Sequence, residues 1–244
     1  MSTLETKSIY KDFDGIKAVD HLSLVFKPSQ ITGLIGPNGS GKSTLINLLT
    51  GFTSFDSGAI LIGEKFKINK LEPYETSSFD ITRTFQDVRL FEQMRVIDNI
   101  LVVLTKRDVI GSIFEKHGKF HEEKAKEVLD SVGLLEKRNE LAVNLSYGQR
   151  KLLEIARALA MDTQIYFFDE PFAGLFPEMI KVVTAVLKEL RKQGKTVILV
   201  EHNMELIREL SDHCIVMDSG KLLAEGKTDV VLSRKDVIEA YLGE

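Results

Sequence analysis

The chain has 244 residues, 43% of them hydrophobic and 28% charged, a balance that suits one large soluble domain or two small ones. A formal net charge of −4 gives no electrostatic reason to expect a nucleic-acid binder. A single cysteine excludes an intrachain disulfide, and no run approaches the roughly 18 apolar residues of a membrane span.

The opening "MSTLETKSIYKDF" lacks the apolar centre of a signal peptide, so a cytoplasmic location is expected. Residues 20–35 and 58–68 alternate or run apolar between Gly and Pro, and read as strands. "ITGLIGPNGSGKSTLINLLTG" then reads as an apolar strand, a glycine-rich loop and a helix. Gly36, Gly41, Lys42 and Ser43 fit the G-x-x-x-x-G-K-[ST] spacing of a phosphate loop. Across Gly36, Pro37, Asn38, Gly39, Ser40 and Gly41 the glycines let the backbone N–H groups, which all but Pro37 carry, curl around phosphate oxygens. Lys42 can reach the β- and γ-phosphates, Ser43 can place its hydroxyl on Mg²⁺, and Thr44 opens a helix whose dipole faces the anion. The motif implies a nucleoside triphosphate and no more than that.

Leu90 and Phe91 in "VRLFEQM" are apolar in a stretch that reads as loop; they mark either a contact surface or buried packing. "VIDNILVVLTKRD" and "FHEEKAKEVLDSVGLL" read as helices, with "ILVVL" too short to span a membrane and closely followed by Lys106 and Arg107. "NLSYGQRKLLEIARAL" reads as a third helix, capped by Ser146 with Gln149 as its capping-box partner, and Gly148 lets backbone approach backbone. Such a helix start favours phosphate. Residues 87–160, helical with little strand, read as a subdomain inserted into an α/β core. "QIYFFDE", "KTVILVEH" and "HCIVMDSG" read as buried parallel strands, the last with Cys214 as a small core residue. "PEMIKVVTAVLKELRKQG" is a helix between the first two, entered at Pro177 and stopped at Gly194. Asp169 and Glu170 are adjacent acids at a strand end. They either form a solvated end or serve a cation and a water, Asp169 on the Mg²⁺ side and Glu170 on the attacking water. His202 ends another such strand, as a γ-phosphate sensor or as a structural histidine.

The phosphate loop, Gln86 in "TRTFQ", "LSYGQ", "YFFDEP" and His202 follow one another as in ABC (ATP-binding cassette) ATPases, which the whole chain resembles. The resemblance implies an α/β P-loop NTPase core with an antiparallel β subdomain and the inserted helical one, making residues 1–244 a single nucleotide-binding domain. It implies ATP and Mg²⁺ as cofactors and a head-to-tail dimer. In that dimer Ser146, Gly148 and Gln149 hold the phosphate bound to the partner's loop, which explains a second anion site. Gln86 matches the residue that contacts Mg²⁺ or the water, and Phe13 the aromatic that stacks on adenine, a core role being its alternative. Pro171 to Leu175, "PFAGL", match the loop crossing the dimer interface.

Within the family, "ITRTFQDVRLFEQMRVIDNI", "DEPFAGL" and the ending "VIEAYLG" look like ATPases of branched-chain amino acid importers, with urea importers and lipopolysaccharide exporters as near alternatives. This implies permease subunits in the cell membrane, a homodimer or a heterodimer with a second ATPase, an indirect periplasmic or extracellular substrate-binding protein, and a peripheral place on the inner membrane face. Phe176 departs from the pattern, which has Asp or Asn there; it either buries apolar area against a partner or packs inward. Two rivals of other classes are a nucleotide-gated regulator without a permease and a small-molecule P-loop kinase. The first lacks its tandem cassette and coiled coil here; the second leaves "LSYGQ" and His202 without a job.

Overall fold

The computed structural model describes residues 3–63, 66–104 and 118–242, with backbone alone for 118, 119 and 242. It divides into two compact units: Met1–Arg83, Thr163–Glu170 and Leu187–Glu244 form one, Thr84–Asp162 and Pro171–Val186 the other.

The first unit holds two sheets. In the antiparallel sheet, β1 (Leu4–Phe13) lies between β2 (Ile16–Leu22) and β5 (Ser57–Ile62); β5 pairs onward with β6 (Phe66–Ile68), and the short β3 (Val25–Phe26) pairs with β1. The second sheet contains β4 (Gln30–Ile35), β7 (Ile81–Arg83), β8 (Ile165–Asp169), β9 (Thr196–Val200), β10 (His213–Asp218) and β11 (Lys221–Lys227). Its order is β11-β10-β4-β9-β8-β7, parallel except for β11. β8 and β9 are buried along their whole length, as their unbroken apolar runs require. Register aligns the strand ends: Val200 lies opposite both Leu34 and Asp169, and Val216 opposite Ile35. The segments that leave β4, β8 and β9 therefore emerge side by side at one sheet edge, where open α/β sheets bind ligands. Helix α1 (Lys42–Leu49) packs Leu45, Ile46 and Leu49 into the core shared with Leu4, Phe26, Phe167 and Ile198.

In the second unit α2 (Val96–Leu104), α3 (Gly118–Ser131) and α4 (Tyr147–Ala160) pack on one another. Helix α5 (Pro177–Lys192) starts at Pro177 and is followed by Gly194 with φ 81, the anticipated stop. Three short helices, α6 (Met204–Leu210), α7 (Thr228–Leu232) and α8 (Lys235–Leu242), complete the first unit.

Several boundaries differ from the sequence reading. The run 20–35 is three strands, since Ser29 takes a left-handed turn ahead of β4. β1 escaped notice because register shifts at Ile9, Lys11 and Asp12 break its alternation. Helix α3 ends at Ser131, before a left-handed Gly133, so "VGLL" lies beyond it. Thr105–Asp108, the end of the first proposed helix, falls outside the described residues.

Candidate functional site

The phosphate loop leaves β4 at Gly36. A Cβ there would stand 2.1 Å from the Met217 carbonyl oxygen, and one at Gly41, where φ is 100, would stand 2.2 Å from that of Ala18. Glycine is thus demanded at both ends of the loop by backbone on its outer side. Ser40 is buried and bonded through its carbonyl to the Gly220 N–H, while Asn38 and Gly39 are exposed and Pro37 is half-buried. Lys42 opens α1 and turns its Nζ back on the loop, donating to the carbonyls of Gly36 at 2.7 Å and Pro37 at 2.9 Å. Burial lowers the Lys42 pKa, against the opposing pull of Glu170 and Asp169. Ser43 is exposed and Thr44 half-buried at the same helix start.

Asp169 ends β8 and is nearly buried. Its Oδ2 accepts from Arg83 Nη2 at 2.8 Å, the two side chains being 8% and 9% exposed. Arg83 Nη1 also donates to Asn47 Oδ1 at 2.6 Å and Thr50 Oγ1 at 3.2 Å, at the far end of α1. The next residue, Glu170, has φ 48, a left-handed conformation costly for a side chain of its length, and its N–H donates to the Val200 carbonyl. Glu170 Oε1 lies 3.1 Å from His202 Nε2, at the segment leaving β9. The structure thus brings Lys42, Asp169, Glu170 and His202 to one sheet edge.

Phe13, at the end of β1, is 45% exposed, which rules out the core alternative. Lys11 Nζ sits 5.0 Å from its ring centroid and is held there by Asp56 at 2.7 Å. Cys214 is buried as anticipated, and burial pushes its thiol up to about 12.

Gln86, Ser146, Gly148, Gln149 and Phe176 belong to the second unit. Ser146 caps α4: its Oγ accepts from the Gln149 N–H, and the Gln149 side chain accepts from the Ser146 N–H. What approaches Gly148 is not backbone, as the sequence suggested, but the Met179 side chain: a Cβ would meet its sulfur at 2.5 Å. The face of α4 behind the cap grips the segment around Gln86. Lys151 donates to the Gln86 carbonyl at 2.9 Å, Glu154 accepts from the Phe85 N–H at 3.1 Å, and Arg157 donates to the Arg89 carbonyl. Gln86 itself is exposed. Phe91 is 46% exposed with the Arg157 guanidinium 5.1 Å from its ring, and Leu90 is half-buried. Phe176 is 69% exposed, so the inward-packing alternative fails.

Sequence reasoning missed two residues at this site. Arg83 precedes the Gln86 segment but its partner Asp169 is 86 residues away, and Tyr241, whose hydroxyl accepts from the Gly36 N–H, is 205 away. Only the quoted ending "VIEAYLG" drew attention to the second.

Comparison with known proteins gives one direction. The model of the ABC transporter family matches residues 19–173. The chain is 37% identical to the high-affinity branched-chain amino acid transport ATP-binding protein LivG of Escherichia coli K12, covering 99% of this chain and 98% of that one. It superposes with TM-score 0.86 and 36% identity, over the whole of both chains, on a crystal structure of the ADP conformation of an ATP-binding cassette of an ABC transporter. It also matches, with TM-score 0.80 and 27% identity over 92% of this chain and 98% of the other, a dimeric cassette in a post-hydrolysis state with ADP and phosphate.

Proposed function

The chain belongs to the ABC transporter family, and on that premise we propose that it is the ATPase subunit of a branched-chain amino acid importer. The observation that carries this reading is the convergence of Lys42, at the start of α1, with Asp169, Glu170 and His202 at the ends of adjacent parallel strands. Lys42 exchanges its carbonyl partners on Gly36 and Pro37 for β- and γ-phosphate oxygens, a charge-assisted contact. Glu170 polarises the attacking water, and His202 holds that carboxylate while sensing the γ-phosphate. Phe13 offers an exposed ring to adenine, with Lys11 bracing it.

The donor set suits Mg²⁺. Ser43 and Asp169 offer hydroxyl and carboxylate oxygens, the hard ligands this ion takes. Among the described residues no three His, Cys, Asp or Glu side chains gather into a cage, which fits an ion that arrives with phosphate ligands. Mg²⁺ neutralises phosphate charge when bound. The family resemblance assigns Gln86 a contact to the ion or the water.

Ser146, Gly148 and Gln149 present a capped helix start to the nucleotide of a second cassette, so ATP binding closes a dimer and hydrolysis reopens it. Phe176, exposed beside Pro177, offers apolar area to that partner. The exposed Phe91 docks the permease, which keeps the chain on the inner membrane face; among the described residues no helix is long and apolar enough to cross a membrane. An external binding protein delivers the amino acid to the permease.

Vesicles carrying the chain, its permease and the binding protein should accumulate leucine, isoleucine or valine only when ATP is supplied inside. Phe91→Glu should abolish this uptake and leave ATP hydrolysis by the isolated chain within about two-fold, since no phosphate-site atom is touched. Uptake of urea instead, or an ATPase that draws no integral membrane protein out of solubilised membranes, contradicts the reading.

A further inference from the structure

The ending "VIEAYLG" has no part in the chemistry above, yet it reaches the phosphate loop. β4 is paired with β10 as far as Ile35 and with β9 as far as Leu34. Gly36 is the first residue past both ladders, and its N–H donates to the Tyr241 hydroxyl of α8. A buried N–H left without an acceptor is costly, so this phenol completes the exit of the strand. The Met217 carbonyl stands too close to Gly36 for any side chain there. The carbonyl of the same glycine accepts from Lys42 Nζ at 2.7 Å.

Gly36 is thus held on both of its peptides, its N–H by Tyr241 of the C-terminal helix and its carbonyl by the Lys42 side chain. Burial pushes the Tyr241 phenol up, against the smaller downward pull of the Gly36 N–H, so the group stays an uncharged hydroxyl at neutral pH. Helix α8 is itself seated by the buried Val237, with an exposed Arg234–Asp236 ion pair at its start.

We propose that Tyr241 is a positioning residue for the phosphate loop: the C-terminal helix pins Gly36 and thereby sets nucleotide affinity. The inference rests on reading residues 36–44 as the nucleotide site. Removing the hydroxyl leaves the Gly36 N–H without its acceptor and frees the Ile35–Gly36 peptide to rotate, which loosens the first residue of the phosphate loop.

The test is Tyr241→Phe, with ADP and ATP affinity measured by calorimetric titration in excess Mg²⁺. Affinity should fall about 5- to 10-fold, the worth of one buried hydrogen bond, and KM for ATP should rise in step while kcat stays within about two-fold. Hydrogen exchange should speed up over residues 33–45 and stay unchanged over 228–242. Unchanged affinity overturns the proposal. So does a loss of affinity accompanied by faster exchange over 228–242, which would make Tyr241 a packing residue of its own helix. Lys42→Ala, run beside it, separates the two levels: if that variant binds ADP as tightly as wild type, the reading of the loop falls and this inference with it.

Discussion

A carboxylate as deeply placed as Asp169 is costly to bury without a partner, and Arg83 supplies one at 2.8 Å. The guanidinium is suited to the task because its fork meets Asp169 with one nitrogen while the other reaches Asn47 and Thr50. The Phe52 ring, 5.7 Å away, closes a further side. One side chain therefore joins the strand that ends in the acid to the helix that begins at Lys42. Arg83→Gln breaks a buried pair from one side and should cost about 3–5 kcal/mol in urea unfolding of the nucleotide-free protein. A loss under about 1 kcal/mol would show that the pair is better solvated than its exposure implies. The sequence offered the acid but not its counter-ion, because an arginine in "ITRTFQ" has no local feature that points 86 residues onward. The phosphate loop was legible for the opposite reason: its glycines, lysine and serine all lie in the single short stretch 36–43.

Helix α4 serves two ends. Its first turn is capped by Ser146 and Gln149 and is the proposed anion site, and its flank carries Arg150, Lys151, Glu154 and Arg157 toward the segment 85–92. The spacing of one, four and seven residues from Arg150 keeps all four on neighbouring rows of the helix. The sequence showed the apolar stripe of this helix and its cap, but a polar flank reads as a solvated face until its partners are seen. Glu154 is the titrating member. Burial raises its pKa from 4.5 to about 6, with the N–H groups of Phe85 and Arg89 and the charge of Lys151 opposing. The folded state therefore binds this proton more tightly than the unfolded chain. The stabilisation is fully present below pH 4.5 and is lost as pH rises through about 6. Relative to Glu154→Gln, which cannot titrate, the wild type should gain about 2 kcal/mol of unfolding free energy between pH 7 and pH 4.5. A wild-type-to-variant difference that is the same at both pH values contradicts a buried, proton-binding Glu154.

At the scale of the molecule, the parallel sheet brings loop, acids and histidine together, while the capped helix stands on a separate unit. The buried strands β8, β9 and β10 could be read from their apolar runs, and with them the fold class. β1 could not, since its register shifts hide the alternation, nor could β7, which has three residues and finds its strand identity only by pairing with β8. On the proposed reading, ATP closes a dimer of such cassettes and Glu170 chemistry opens it. Glu170→Gln keeps the shape and hydrogen-bonding reach of the side chain at its left-handed position but removes the charge that polarises water. The direct measurement is size-exclusion chromatography of this variant with Mg·ATP, alongside its turnover. Turnover should be lower by about 10²- to 10⁴-fold, the usual contribution of a general base, with a stable dimer that reverts to monomer when ATP is removed. Turnover near that of wild type, or a variant that binds ATP and stays monomeric, would contradict that reading.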